Sequence, residues 1–418
     1  MFLCFLLLLG EGLARVLSPP LSRLERILTI LEQDPDLFWK QRAHMNTVFE
    51  GAPAKTNGLG LRNKEIYPKT NKDTLRIVCL GASPTWGWGV KEEETYATQL
   101  EHLLKNAFPS RNVEVINAGV IGYSSYQGLH FLKNKIIPMS PDIITVPYVI
   151  NDVDKHRFFR SNGKTDKELG PRSKVLITIE NFLDRSRLIS LLKKVSMHFQ
   201  SAAVRYFGTD GKYQYIETRR VPIEDYKNNL KSIINIAQQN DIKVVLLKMP
   251  VNLPAKKDAS ETARLQAEAN ITTAIALGNA KEFDQAIAKL QLAIIQHPFS
   301  SKAYYLLGKY HEQLGNHKQA QDNFQQAIKM ELYECGYLGK SYNETMENVA
   351  REGHVVLVDI VAAFDGYTQK NHISLFLDEQ NDTIHPNPLG HSIISKEIYA
   401  AIVDNTLIKN KQFPKVIE

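Results

Sequence analysis

Cysteine is scarce in this 418-residue chain: Cys4, Cys79 and Cys335 lie far apart, with no CxxC pair and no Cys/His ligand spacing. Zinc coordination and a disulfide scaffold are both excluded, and a chain this long needs neither to bury a core. It also lacks an apolar run that could cross a bilayer alone. Residues 2–9 are unbroken apolar, but Gly10, Glu11 and Arg15 follow at once, well short of the roughly 20 residues a crossing takes. A dominant charge is missing too. Lys plus Arg number 51 against 45 Asp plus Glu, a formal net charge of +6, and so small an excess does not indicate a nucleic-acid groove. What remains is 43% hydrophobic and 23% charged residues, the composition of a folded protein of about two or three domains.

Residues 1–28 form an apolar leader with two readings. One is the tail of a transmembrane helix. The other is a signal h-region without a basic flank or a cleavage site. A buried amphipathic helix competes with both, because Leu13, Val16, Leu17, Leu21, Leu24, Ile27 and Leu28 continue at near-helical spacing past Pro19 and Pro20. An anchor is the expectation taken forward. It makes the protein membrane-associated, with the rest of the chain on the periplasmic or extracellular side, although Arg15, Arg23 and Arg26 favour the opposite orientation.

After a lead-in over residues 29–74, short apolar runs alternate with helical patterns, as a parallel sheet with crossover helices requires. Five strands are expected: RIVCLG (76–81), VEVINAG (113–119), DIITVPYV (142–149), IKVVLLKMP (242–250) and HVVLVDI (354–360). Crossover helices are expected over 95–108 and 226–240, and a last helix over 393–403. The fold class is therefore α/β, a doubly wound parallel sheet whose first part runs from 75 to 258 and whose second part runs from 335 to 418. Two segments interrupt it. Residues 155–220 include the helical stretch IENFLDRSRLISLLKKVSMHF and carry 15 Lys plus Arg against 6 Asp plus Glu. They read either as a solvated flap or as a docking face for an anionic partner. In residues 259–334, Ala286, Leu290 and Ala293 recur as Ala320, Phe324 and Ala327, an offset of 34 residues, with Tyr304, Leu307 and Gly308 between. This pattern resembles tetratricopeptide repeats. Leu332 departs from it where Pro is expected, as Ala274 does where Gly is expected, and a plain helical hairpin is the competing reading. Such helices imply a protein partner.

The residues that carry chemistry fall just after predicted strands, where ligands bind in such sheets. LGASPTWGWGV places Ser83 on a turn into a helix, where amides and the helix dipole stabilise an oxyanion; Ser is equally a common cap. INAGVIGYSSYQG offers Gly119 and Gly122 in a turn open to close backbone approach. PYVINDVDKH offers the Asn151 amide and the Asp152 carboxylate. In DEQNDTIHPNPLGH, the spacing of Asp382 and His385 lets a carboxylate accept from Nδ1–H and leaves Nε2 to take a proton from a serine.

These four segments, in this order, resemble the blocks of the SGNH (GDSL-type) hydrolases. The resemblance spans roughly 170 residues, about 75–160, 222–255 and 350–405, and implies a flavodoxin-like sheet. It implies Ser83 as nucleophile, His385 as general base and Asp382 as its orienter, with an oxyanion hole from the Ser83 and Gly122 amides and the Asn151 side chain. Gly122 is preferred to Gly119 because NAGVIGYSSYQG matches the family's NAxxxGxTxxxG. The family's GDS is GAS here, with Ala82 in place of the acid. NGLGLRNKEI is similar to the lead-in of membrane-attached, repeat-containing members. The function implied is cleavage of an O-acyl ester, on an acylated saccharide or a lipid, by water or by acyl transfer to a sugar hydroxyl, with no metal or organic cofactor. The alternative is a non-catalytic scaffold that holds a protein partner through the repeats.

Overall fold

The structure, a computed structural model, describes residues 9–14, 16, 23–71, 73–159, 163–184, 186–189, 216–252, 259–378, 382, 384–405 and 407–408. Two short antiparallel hairpins come first, β1 (Leu31–Asp34) with β2 (Phe38–Gln41) and β3 (Asn46–Phe49) with β4 (Ala52–Lys55). Five parallel strands follow: β5 (Leu75–Gly81), β6 (Val113–Gly119), β7 (Ile143–Val146), β8 (Lys243–Lys248) and β9 (Val356–Asp359). Their order across the sheet is β6-β5-β7-β8-β9. The strand order reverses beside β5, so a crevice opens between the carboxyl ends of β5 and β7.

Alternation along each strand builds two cores. Val78, Leu80, Ile116, Ile144 and Leu246 face one way, onto helices Ile223–Gln239 and the end of His317–Glu352 and onto Trp39 and Phe38 of the hairpins. Ile77, Cys79, Val115, Ile143 and Val245 face the other way, onto helices Tyr96–Ala107, Ile360–Asn371 and Pro388–Asp404. All seven residues of β5 are buried, as expected of a strand covered on both faces.

The five expected strands are the five of the sheet, with boundaries that shift for local reasons. β7 stops at Val146 because Pro147 has no N–H for a ladder. The last helix begins at Pro388, five residues before the expected start, because Asn387 accepts from the Gly390 amide at 3.0 Å and Pro388 suits the first turn.

The helical interruption consists of Glu261–Asn279, Phe283–Gln296, Ser301–Gln313 and the 36-residue His317–Glu352. Ala274, Ala286, Leu290, Ala293 and Ala303 form the centre of its own core. The division drawn at 334/335 falls inside one continuous helix, whose far end places Tyr342, Met346 and Val349 in the core of the α/β domain. The small residues matter here: a Cβ on Gly308 would lie 2.5 Å from the Phe324 ring.

The basic interruption is less of a solvated patch than its charge count suggests. Arg157 and Arg220 are buried on Asp166, Lys155 lies 3.8 Å from both Glu331 and Glu334, and Arg172 pairs with Glu180. A helix does form at Lys174–Leu183, with Val175, Leu176, Ile179 and Phe182 exposed, while residues 190–215 lie outside the described residues. Residues 1–8 of the apolar leader lie outside them as well, and among the described residues no helix is long and apolar enough to cross a membrane.

Filling the gap at Gly308 tests the packing of the helix pairs. Gly308→Leu is expected to cost about 1–3 kcal/mol, read as a lower urea midpoint, because the Phe324 ring must give way. Gly366→Ala, where a Cβ meets only open space on helix Ile360–Asn371, is expected to leave the midpoint unchanged or raise it slightly.

Candidate active site

β5 delivers Ser83 to the crevice. Gly81, at φ +152°, has no room for a Cβ beside Thr85, and the chain then turns sharply into the one-turn helix Ser83–Trp86. Ala82 holds the position before that helix and provides no side-chain cap. From the far end of the chain, the turn ahead of helix Pro388–Asp404 brings His385 across. Its Nε2 lies 2.8 Å from Ser83 Oγ, and its Nδ1 lies 2.8 Å from Asp382 Oδ2. Asp382 also accepts from the backbone amides of Ile384 and His385 at 3.0 and 2.8 Å. Burial works against its charge, but the His385 hydrogen bond and the two amides outweigh that and hold the carboxyl below its usual range. An ionised Asp382 accepts Nδ1–H and leaves the Nε2 lone pair toward Ser83.

The donors expected around the serine are placed as follows. The Ser83 and Gly122 amides donate to no acceptor among the described residues. Gly122 sits at φ +78°, and a Cβ there would run into the Phe158 ring at 2.5 Å. The Gly119 amide, by contrast, donates to Asn117 Oδ1 at 3.1 Å, and Gly119 lets Trp86 pack against β6. Asn151 Nδ2 donates one hydrogen to the Tyr123 carbonyl at 3.1 Å, leaving its second. Asn151 lines a small cleft of about 30 Å³, together with Ala82, Pro147, Met249, Val251 and Ile384. Among the described residues no charged side chain lines it.

Asp152 does not share that edge. It turns into the core, where Oδ1 accepts from the Ser125 amide and hydroxyl, and burial pushes its carboxyl up to about 7.

Several residues at the site gave no signal in the sequence patterns. Trp88 stacks on the His385 ring, 15° from parallel at a centroid distance of 4.8 Å. Its Trp-Gly-Trp context was visible; its partner was not. Arg62, in the lead-in NGLGLRNKEI, is buried and donates to the carbonyls of Pro53, Trp86, Gly87 and Val90, so it braces the loop that carries Trp88. His391 receives the Tyr96 amide on Nδ1, and burial, then the charges of Arg62 and His385, lower it to about 3, so it stays neutral. Among the described residues no group of three His, Cys, Asp or Glu side chains is placed to hold a metal ion.

These features define a doubly wound α/β protein with a hydrogen-bonded Ser, His and Asp line at the carboxyl edge of its sheet. No family model matches the chain, and no curated protein matches it. Solved structures with a similar backbone include an α/β hydrolase from the metagenome of Lake Arreo, Spain, at 17% identity and TM-score 0.39, covering 78% of this chain and 94% of that one. The acetyl xylan esterase Axe2 from Geobacillus stearothermophilus is 12% identical at TM-score 0.40, over 78% and 94%. The acetyl xylan esterase AlAXEase is 14% identical at TM-score 0.38, over 78% and 100%. Superpositions this loose leave the sheet and its side chains to speak for themselves.

The buried Asp152 has a pH signature. In the unfolded chain an Asp ionises near pH ~4. With its folded value raised to about 7, its stabilising contribution is complete below the unfolded value and is lost as pH rises toward 7. Asp152→Asn stays neutral throughout, so the fall in urea midpoint between pH 4.5 and 7.5 should be shallower than in the native protein. Parallel slopes for the two proteins would rule out a neutral buried Asp152.

Proposed function

We propose that the protein is a serine-dependent ester hydrolase or acyl transferase of the SGNH type. The observation that carries the reading is the unbroken line from Asp382 through His385 to Ser83, with both contacts at 2.8 Å. Ser83 Oγ attacks the carbonyl carbon of an O-acyl ester while its proton passes to His385 Nε2, and Asp382 stabilises the imidazolium that forms. The oxyanion takes hydrogen bonds from the Ser83 and Gly122 amides and from Asn151 Nδ2. Collapse expels the alcohol, which leaves with the proton from His385. The acyl-enzyme is then discharged by water or by an acceptor hydroxyl, returning the proton to Ser83. No metal or organic cofactor is required.

The uncharged lining of the cleft suits an uncharged acyl group on a saccharide or lipid alcohol. The helix pairs read as tetratricopeptide-like and expose Leu265, Leu292 and Ile295, which supports a protein partner for them. A membrane-associated, extracytoplasmic setting is part of the same proposal. The exposed apolar face of helix Lys174–Leu183 supports it, and so does the tie of Glu11 to the amides of Arg187 and Leu188, a few residues past that helix. The scaffold alternative loses ground on the intact hydrogen bonding of the serine.

Purified protein should hydrolyse p-nitrophenyl acetate and take a fluorophosphonate label, and Ser83→Ala should abolish both. Asp382→Asn should lower kcat by about 10³–10⁴-fold, because the imidazole loses its orienting acceptor. Identical rates for wild type and Ser83→Ala, with neither labelled, would return the protein to the scaffold reading.

A further inference from the structure

The turn after β6 is held by an unusual arrangement. Three consecutive backbone carbonyls are each taken by a side chain from a different part of the chain. Trp39 Nε1 donates to Ile121 O at 2.8 Å, Arg220 Nη1 donates to Gly122 O at 2.7 Å, and Asn151 Nδ2 donates to Tyr123 O at 3.1 Å. The first two bonds are buried, and the third is half-buried. The Tyr123 hydroxyl in turn donates to the Trp39 carbonyl at 2.8 Å, and the Arg220 guanidinium lies 5.2 Å from the centre of the Trp39 ring.

The geometry of a trans peptide gives the first of these bonds its consequence. The C=O and N–H of one peptide unit point in opposite directions within one plane. The carbonyl of Ile121 and the amide of Gly122 belong to the same unit. An indole donor fixed on the carbonyl therefore fixes the direction of the Gly122 N–H, which points away from Trp39 and has no acceptor among the described residues. Arg220 fixes the next unit, so the unit bearing the Gly122 amide is flanked by an anchored neighbour and cannot itself flip without breaking the buried bond to Trp39. Gly122 at φ +78° is otherwise free to let this peptide rotate, since glycine populates several backbone regions at little cost.

We infer that Trp39, with Arg220 behind it, is the positioning residue that aims the Gly122 amide at the oxyanion. Neither side chain touches substrate. The inference rests on the serine-hydrolase reading for its effect on rate, and on the hydrogen bond alone for its effect on the amide.

The test replaces Trp39 in the full chain with 3-benzothienylalanine, which keeps the bicyclic shape and exchanges the N–H for sulfur; Trp39→Phe is the second variant. With thermal midpoints near that of the native protein, kcat on p-nitrophenyl acetate should fall about 10–100-fold, part of the 10²–10³ lost when an oxyanion donor is removed outright, with KM within about 3-fold. Fluorophosphonate labelling should slow in proportion. In protein labelled with ¹⁵N-glycine, the Gly122 amide should show a lower order parameter in both variants, while Gly119, bonded to Asn117, is unchanged. Native kcat and a native Gly122 order parameter in the benzothienyl protein would overturn the inference, and a fall in thermal midpoint with no separation of kcat from KM would reduce Trp39 to a packing residue. If wild type itself neither hydrolyses esters nor labels, the hydrolase reading fails, and the order parameter of Gly122 still decides whether Trp39 holds the peptide.

Discussion

Asp166 is the buried charge around which the turn after β6 and the edge of the site are assembled. Its Oδ1 receives Arg157 Nη2 at 2.6 Å, and its Oδ2 receives the Ser124 hydroxyl at 2.6 Å and Arg220 Nη2 at 3.2 Å. A carboxylate with no exposed surface opposes folding by several kcal/mol unless its partners are in place, and here burial pulls against two guanidiniums that hold it ionised. Two cations on one anion leave positive charge over, and backbone dipoles absorb it: Arg220 reaches the Gly122 carbonyl and Arg157 the Lys164 carbonyl at 2.6 Å. The cluster thereby ties the turn after β6 to the segments around 157, 166 and 220. A neutral replacement of Asp166 would remove the one carboxylate that both guanidiniums share.

The site is built in shells of decreasing chemical and increasing mechanical character. Ser83, His385 and Asp382 form the line that could move a proton. Trp88 covers one face of the imidazole, Arg62 braces the loop carrying Trp88, and Trp39 and Arg220 hold the turn carrying Gly122. Three of these four bracing residues come from the lead-in over residues 29–74 or from the end of the basic segment. Those parts therefore belong to the site, although neither contributes a strand to the sheet. The long helix His317–Glu352 plays a similar role for the helix pairs. Its Glu331 meets His156 at 3.0 Å in the loop that follows Asn151, so the helix pairs are joined to the α/β domain by a buried polar contact as well as by a shared helix.

Much of the sheet could be read without coordinates because its strands are local signals. Mainly apolar runs of six or seven residues, such as RIVCLG and VEVINAG, occur where both faces are covered, and helical spacing between them supplies the crossovers. The motif residues were legible for the same reason, each falling within a few positions of a strand end. Charge was read less well. The excess of residues 155–220 looked like a surface property, yet Arg157, Arg220 and Lys155 are buried against Asp166, Glu331 and Glu334, and composition cannot tell a solvated cation from one folded onto a distant carboxylate. Asp152 differs from its neighbour likewise: adjacent to Asn151 in sequence, it is fully buried with its carboxylate on Ser125 and takes no place in the cleft.

Local physics was thus enough to determine the order of the five strands in the chain, the burial of the central ones on both faces, the turn glycines and the positions of Ser83, Asn151, Asp382 and His385 beyond strand or loop ends. Everything that depends on contact between distant segments waited for the tertiary structure. Ser83 and His385 are 302 positions apart, Trp39 and Ile121 are 82 apart, and Gly122 and Arg220 are 98 apart. No spacing rule links such pairs, because their proximity comes from strand order and from the packing of the hairpins onto the sheet edge. A single tryptophan carries no pattern. Its role is created by the one carbonyl it meets.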